Sequence, residues 1–312
     1  MYKSFAIITI VAVYILILVG GIVRATGSGM GCPDWPKCFG TWIPPTSVEQ
    51  LPGNYQEVFG EKLKGEVEFS AVKTWTEYIN RLLGVLIGFF IFITLVLSFK
   101  EYRGRGTGVI KYSLIAFFLV GAQGFLGSIV VSTELHPGLV SVHMLVAIVI
   151  VLCLIYALFL AYRNDSKVVM AENRSLRFLA LILLILSVGQ LVLGTQIREM
   201  VDKLSFGHQP RSEWVDSLLG GQFFIHIFLG IVLLGVHVVF YRGGRKVLSS
   251  WGLGILKTLL AVVILEFIFG AILGVFNIPA FAQPIHLTFA TLIIGLQFAL
   301  FLVFGKSKVS LN

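Results

Sequence analysis

Eight runs of predominantly apolar residues, at 5–23, 82–99, 110–131, 141–162, 176–196, 222–241, 256–276 and 285–304, dominate the chain. A helix needs about 20 such residues to cross a hydrocarbon core roughly 30 Å thick. No water satisfies an open backbone group there, so every crossing run must be helical. Composition agrees. The 312 residues are 57% hydrophobic and only 13% charged, against about 25% charged in a soluble globular protein. The sequence therefore predicts an all-α membrane protein with eight transmembrane helices. Only Lys3 precedes the first run, and no small-residue cleavage site follows it. It reads as a retained helix, not a cleaved signal peptide.

Basic residues orient the spans. Fifteen of the 24 lysines and arginines fall on one set of loops and ends: Lys3; Lys100, Arg103, Arg105 and Lys111; Arg163, Lys167, Arg174 and Arg177; Arg242, Arg245, Lys246 and Lys257; Lys306 and Lys308. Such an excess marks the cytoplasmic side. Both termini are expected in the cytoplasm of a bacterial cell (inner) membrane, with loops 24–81 and 197–221 outside. The net charge of +8 is then an orientation signal. It says little about nucleic acid; the expected partner is membrane lipid, with no nucleic acid.

The chain also repeats itself. Gly20 and Arg24 match Gly194 and Arg198; NRLLG (80–84) matches HIFLG (226–230). QGFLG (123–127) matches EFIFG (266–270), and HMLVA (143–147) matches HLTFA (286–290). Each half, 1–165 and 166–312, holds four spans. An even number keeps both halves in one orientation, so the expected arrangement is two tandem four-helix bundles about a pseudo-twofold axis along the membrane normal. Transporters use parallel repeats too, so the repeat alone selects no function.

His143, His226 and His286 stand near the outer ends of the fourth, sixth and eighth spans. The repeat aligns His143 with His286, and His226 with Asn80. The second half thus offers two imidazoles on two helices, a set that suits bis-imidazole ligation of a haem iron inside a bundle. The alternative is plain hydrogen bonding between helices, but ionisable groups in spans are functional by default. Zinc asks for three or four compact ligands, and the chain shows no such cluster. Gly230, one turn past His226, would let a flat macrocycle approach the backbone. His237 lies about 16 Å deeper on nearly the same face with no partner histidine, and reads as structural. His136 and His208 read as surface residues in outer loops.

The first half differs. Glu77 stands three residues before Asn80 on the same helix face, and its counterpart is Phe223. One half keeps two imidazoles; the other has an imidazole and a carboxylate. The second reads as a resting redox or structural haem site, the first as the reactive one. Cys32 and Cys38, in GSGMGCPDWPKCFG, lie in the outer loop. Disulfides persist outside a bacterial membrane, and a disulfide is favoured over two free thiols, as a staple or as a redox-active pair. Cys153 reads as a packing residue. Glu266, aligned with Gln123, is a proton-path group or a hydrogen-bonded core carboxyl.

GGIVRATGSGMGCPDWPKC after the first span, TEYINRLLG entering the second, and single histidines heading spans four, six and eight resemble the bacterial haem A synthases, relatives of the mitochondrial enzymes of cytochrome c oxidase assembly. The resemblance covers the whole chain. It implies oxidation of the C8 methyl of haem O to a formyl group, through hydroxylated intermediates, to give haem A. It implies haem b as cofactor with His226 and His286 as axial ligands, and His143 as ligand in the substrate pocket beside Asn80 and Arg81. It makes Glu77 the catalytic acidic residue and Cys32–Cys38 the family's outer-loop pair. Implied partners are haem O, the haem O synthase (a farnesyltransferase) and an unidentified electron acceptor. Two departures stand out. Family members carry a histidine between the carboxylate and the arginine, where this chain has Asn80. Some carry another cysteine pair in the second outer loop, and 197–221 has none.

Removing electrons and protons from a methyl suits a redox-active haem with a carboxylate beside it to take a proton or stabilise positive charge. Arg24, Arg81 and Arg198 are candidates for propionate pairing, or simply snorkel to headgroups. The alternative reading is a di-haem b-type membrane electron-transfer protein, which would be expected to keep matched imidazole pairs. A transporter would break paired spans with Gly or Pro near the midplane, whereas the prolines here lie in loops and at helix ends.

Overall fold

The computed structural model describes residues 1–60, 69–105, 108–165, 169–206, 209–218 and 220–305. Lys167, His208, Lys306 and Lys308 lie outside the described residues. The α-helices are α1 (Tyr2–Ala25), α2 (Tyr55–Phe59), α3 (Ala71–Tyr102), α4 (Val109–Ser132), α5 (Pro137–Asn164), α6 (Arg174–Phe206), α7 (Trp214–Leu218), α8 (Gly221–Gly244), α9 (Ser250–Val275) and α10 (Ala282–Val303). All but the short α2 and α7 are long and apolar enough to cross a membrane, eight in total among the described residues. The expected multi-pass helical architecture is what the chain forms.

Two helices outrun their apolar stretches. The run expected at 82–99 is the middle of α3, which begins at Ala71, and the run at 176–196 continues in α6 to Phe206. Hydropathy records only the length inside hydrocarbon; a helix continues into polar surroundings until something stops it. Ser70 caps α3, its Oγ accepting from the Lys73 N–H at 3.4 Å. The polar end of α6 is supported by ion pairs one turn apart, Arg198–Asp202 at 2.6 Å and Glu199–Lys203 at 2.9 Å. Glu77, Asn80 and Arg81 therefore project from helix.

Each half closes on itself. α1 packs on α3, α3 on α4, α4 on α5, and α5 back on α1; α6, α8, α9 and α10 close in the same order. The halves meet where α10 touches α1 and α5, and α5 touches α6. Phe89, Phe118, Phe125, Phe178 and Phe228 point outward, as lipid permits. Lipid is as apolar as these side chains, so close packing and interhelical hydrogen bonds hold the bundle together. Thr9 and Thr94 link α1 to α3 through hydroxyls 2.8 Å apart. His237, 3% exposed, has Nε2 2.9 Å from Gln297 Nε2, which also donates to Ser187 Oγ at 2.8 Å. That network ties α6, α8 and α10 together, and it is the structural place expected for His237.

The halves approach closely at Gly21. A Cβ there would lie 3.0 Å from Pro284 Cβ and 3.1 Å from its Cα, so at this level α1 meets α10 without a side chain. Gly21→Val should destabilise the protein by about 1–3 kcal/mol through overpacking. Thermal unfolding in detergent should show a lowered midpoint; an unchanged midpoint would contradict this account of the contact.

Candidate functional site

The histidines of the second half are brought together. The rings of His226 on α8 and His286 on α10 lie with centroids 6.3 Å apart and planes 72° apart. A metal bonded to one nitrogen of each at about 2 Å sets ring centroids roughly 6 Å apart, so the pair fits an iron between them. Behind His286, Nδ1 lies 3.2 Å from Glu266 Oε1 and 3.3 Å from the Glu266 carbonyl. Metal-bound histidines usually donate their second ring nitrogen to such a group, which leaves Nε2 facing away as the ligand atom. His226 has no such support: its Nδ1 is buried without a partner among the described residues, while Gln190 donates to its carbonyl at 2.8 Å. The pair thus has the separation and, behind His286, the carboxylate that a bis-imidazole iron site asks for.

A glycine on the neighbouring helix seats each ring. A Cβ at Gly194 on α6 would lie 3.3 Å from His226 Cε1, and one at Gly270 on α9 would lie 3.1 Å from His286 Cε1. The first half repeats the device. A Cβ at Gly127 on α4 would lie 3.5 Å from His143 Cε1, and one at Gly20 on α1 would lie 3.9 Å from Asn80 Oδ1. These are the glycines and ring positions that the sequence repeat pairs. Asn80 and His143 occupy the places of His226 and His286, and Asn80 Oδ1 and His143 Nδ1 are both buried without partners among the described residues. Gln123, in the place of Glu266, donates to the His143 carbonyl at 2.7 Å and not to its ring. Gly230 faces Gln190, with 3.5 Å from its virtual Cβ to Nε2; its glycine serves the α6–α8 contact.

A matched turn delivers each α-hairpin histidine. α4 and α9 both end in two consecutive left-handed residues, Glu134 and Leu135 (φ 53° and 61°) and Asn277 and Ile278 (φ 52° and 58°). In each the second N–H returns 2.8 Å to a carbonyl five residues back, Leu135 to Val130 and Ile278 to Leu273. His143 and His286 follow eight residues after Leu135 and Ile278. Leucine and isoleucine are poorly suited to this backbone region, so residue type did not announce the turn. Only its recurrence at matching positions could have.

Glu77 faces the disulfide loop. Cys32 and Cys38 are joined, Cα atoms 4.8 Å apart and both fully buried, in a small core with Phe39, Phe59 and Phe69. Glu77, 4% exposed, accepts from the Cys32 N–H at 2.9 Å through Oε2 and from Arg81 Nη2 at 2.5 Å through Oε1. Arg81 also donates to the carbonyls of Cys32 (2.9 Å), Asp34 (2.7 Å) and Lys37 (3.0 Å). Gly31 is pressed onto α3, its virtual Cβ 2.5 Å from the Lys73 carbonyl. The residues singled out at the mouth of the second span thus split. Glu77 and Arg81 grip the loop, while Asn80 turns to α1.

Arg24 and Arg198 share Asp202, at 2.8 Å and 2.6 Å, and Arg198 Nη2 donates to the Arg24 carbonyl at 3.1 Å. They form a latch across the two halves, and sequence reading missed Asp202, its centre. His136 is exposed at the start of α5, and Cys153 packs half-buried in the core of the first half. Arg81→Ala should loosen the loop, since each charge-assisted bond contributes about 1.5–3 kcal/mol, enough to raise local opening about tenfold or more. Trypsin cleavage after the exposed Lys37 should accelerate accordingly; an unaltered cleavage rate would show that Arg81 does not hold the loop.

A family model described as cytochrome oxidase assembly protein (COX15-CtaA) matches residues 3–298. The chain is 29% identical over 216 residues to a protein named Heme A synthase from Shewanella oneidensis, covering 68% of this chain and 62% of that relative. It is 25% identical over 307 residues to the Heme A synthase of Flavobacterium johnsoniae, covering 88% and 89%. For the Heme A synthase of Agrobacterium fabrum the figures are 29% over 230 residues, 70% and 61%. The matches thus span less than two thirds of the length of the Shewanella and Agrobacterium relatives. With the family model running from the first turn of α1 into α10, this chain belongs to the COX15-CtaA family of cytochrome oxidase assembly proteins.

Proposed function

We propose that the protein is a haem A synthase, an oxidoreductase that converts the C8 methyl of haem O to the formyl group of haem A. The observation that carries this reading is the asymmetry of two matched sites. Four positions share one glycine-seated geometry; two in the second half hold imidazoles 6.3 Å apart, and those in the first hold His143 and Asn80. A carrier of two equivalent haems has no use for that difference. An enzyme that keeps one haem and alters another does.

In this reading the second half, 166–312, holds haem b between His226 and His286, and the first half, 1–165, receives haem O. A bound haem b supplies a one-electron redox centre. Glu266 orients His286 for it. In the first half His143, held on Gly127, offers the axial nitrogen to the substrate iron. Oxidising the methyl takes electrons and protons from one carbon and adds one oxygen, so a proton acceptor is needed nearby. Glu77 is our candidate, acting from a fixed orientation because the Cys32 N–H and Arg81 hold both its oxygens. The aromatic core around the disulfide keeps water from that side of the carboxylate. We place both termini on the cytoplasmic face of a bacterial cell membrane and the disulfide loop outside, where oxidised cysteines persist. The haem O synthase that makes the substrate and an electron acceptor are the proposed partners.

Expression beside a source of haem O, followed by chromatography and mass analysis of the extracted haems, should reveal haem A and its hydroxylated precursor. Their absence where an established enzyme yields both would overturn the reading. Glu77→Gln should lower formyl production by 10²-fold or more, the usual scale for losing an acid–base group, while haem b stays bound. Full activity in that variant would remove Glu77 from the chemistry.

A further inference from the structure

We infer that the substrate pocket of this chain binds its haem iron through His143 alone and turns the Asn80 carboxamide to the opposite axial position, leaving it open to a small diatomic ligand. This rests on the haem A synthase reading and goes beyond it by assigning the coordination state of the substrate and a role for Asn80.

The matched seats carry the argument. Where His226 stands against Gly194, Asn80 stands against Gly20, and its shorter side chain fills the seat less deeply: 3.9 Å from the virtual Cβ to Oδ1, against 3.3 Å to the His226 ring. A neutral carboxamide is a poor iron ligand beside an imidazole. It nevertheless offers two donors and an acceptor, and its Oδ1 is buried without a partner among the described residues. A buried polar atom without a partner calls for an explanation, and the N–H donors of the same carboxamide are the groups that can meet a bound diatomic ligand. Its neighbours on α3 cannot take the axial position. Both Glu77 oxygens are engaged by Cys32 and Arg81, and Arg81 is spent on the loop carbonyls. The single imidazole is also less supported than its counterpart. Gln123 bonds the His143 carbonyl, and no carboxylate stands where Glu266 backs His286. A neutral imidazole on one side and a hydrogen-bonding amide on the other describe a five-coordinate site whose distal group contacts what binds there.

Carbon monoxide tests this on the full-length protein, reduced without oxygen and loaded with haem O. One haem of the pair should bind CO, since the other is closed by two imidazoles. Asn80→His should abolish that binding and leave both haems low-spin. Asn80→Ala should keep CO binding but raise the C–O stretching frequency, because the amide donor is gone; a purely structural Asn80 would leave that frequency unmoved. A wild-type protein inert to CO, or an Asn80→His variant that binds CO as the wild type does, would overturn the inference. If haem A is made while no haem takes up CO, the inference falls and the enzymatic reading stands. If neither haem A nor a second bound haem is found, both fall.

Discussion

The contact between a ring and a glycine on the next helix governs this structure. Lipid gives apolar side chains no reason to leave it, so helices in a membrane associate through close backbone approach and shape. A glycine in the facing helix removes a side chain just where a flat imidazole must stand. At Gly194 and Gly270 the distances from virtual Cβ to ring atom, 3.3 and 3.1 Å, leave no room for a side chain unless the ring shifts; at Gly127 the 3.5 Å is ordinary contact. The seat therefore fixes helix spacing and ring position together. It recurs at four places because the chain is two related halves, and function enters through what occupies each seat.

The halves are not independent. Gly20 seats Asn80 in the first half, while its neighbour Gly21 receives Pro284 of α10, two residues before His286. Adjacent residues on a helix point about 100° apart, so α1 touches both sites at one level. Nearby, the Arg24–Asp202–Arg198 latch spans the same seam. About 60° around α3 from Asn80, the Glu77–Arg81 grip joins the first site to the disulfide loop. A change in loop, seam or ring position is felt by all three, because the same few helix turns build them.

Much of this could be read from the residues. Runs of apolar residues located eight spans, since hydrocarbon thickness imposes their length. Recurrent glycines and histidines exposed the repeat and the imidazole pair, because ring seats need both residue types at fixed offsets. What escaped has physical reasons. Hydropathy is blind to the polar turns 71–81 and 197–206, which are helical through capping and local ion pairs. The partners of Arg81 are carbonyls, which every residue has, so nothing in the sequence singles out Cys32, Asp34 and Lys37. Asp202 falls inside the expected outer loop 197–221, and only the extension of α6 to Phe206 carries it to the seam. The left-handed turns before α5 and α10 use Leu135 and Ile278, against local preference, and tertiary packing sustains them.

If the seats set the chemistry, moving a ring should change the iron and spare the fold. Gly270→Val is the most direct trial, since Gly270 makes the closest of the ring contacts, 3.1 Å to His286 Cε1. The variant should keep its helical content and lose the low-spin, bis-imidazole absorption and electron paramagnetic resonance signals of its haem b. A variant that folds and keeps those signals as the wild type shows them would contradict this role of the seats.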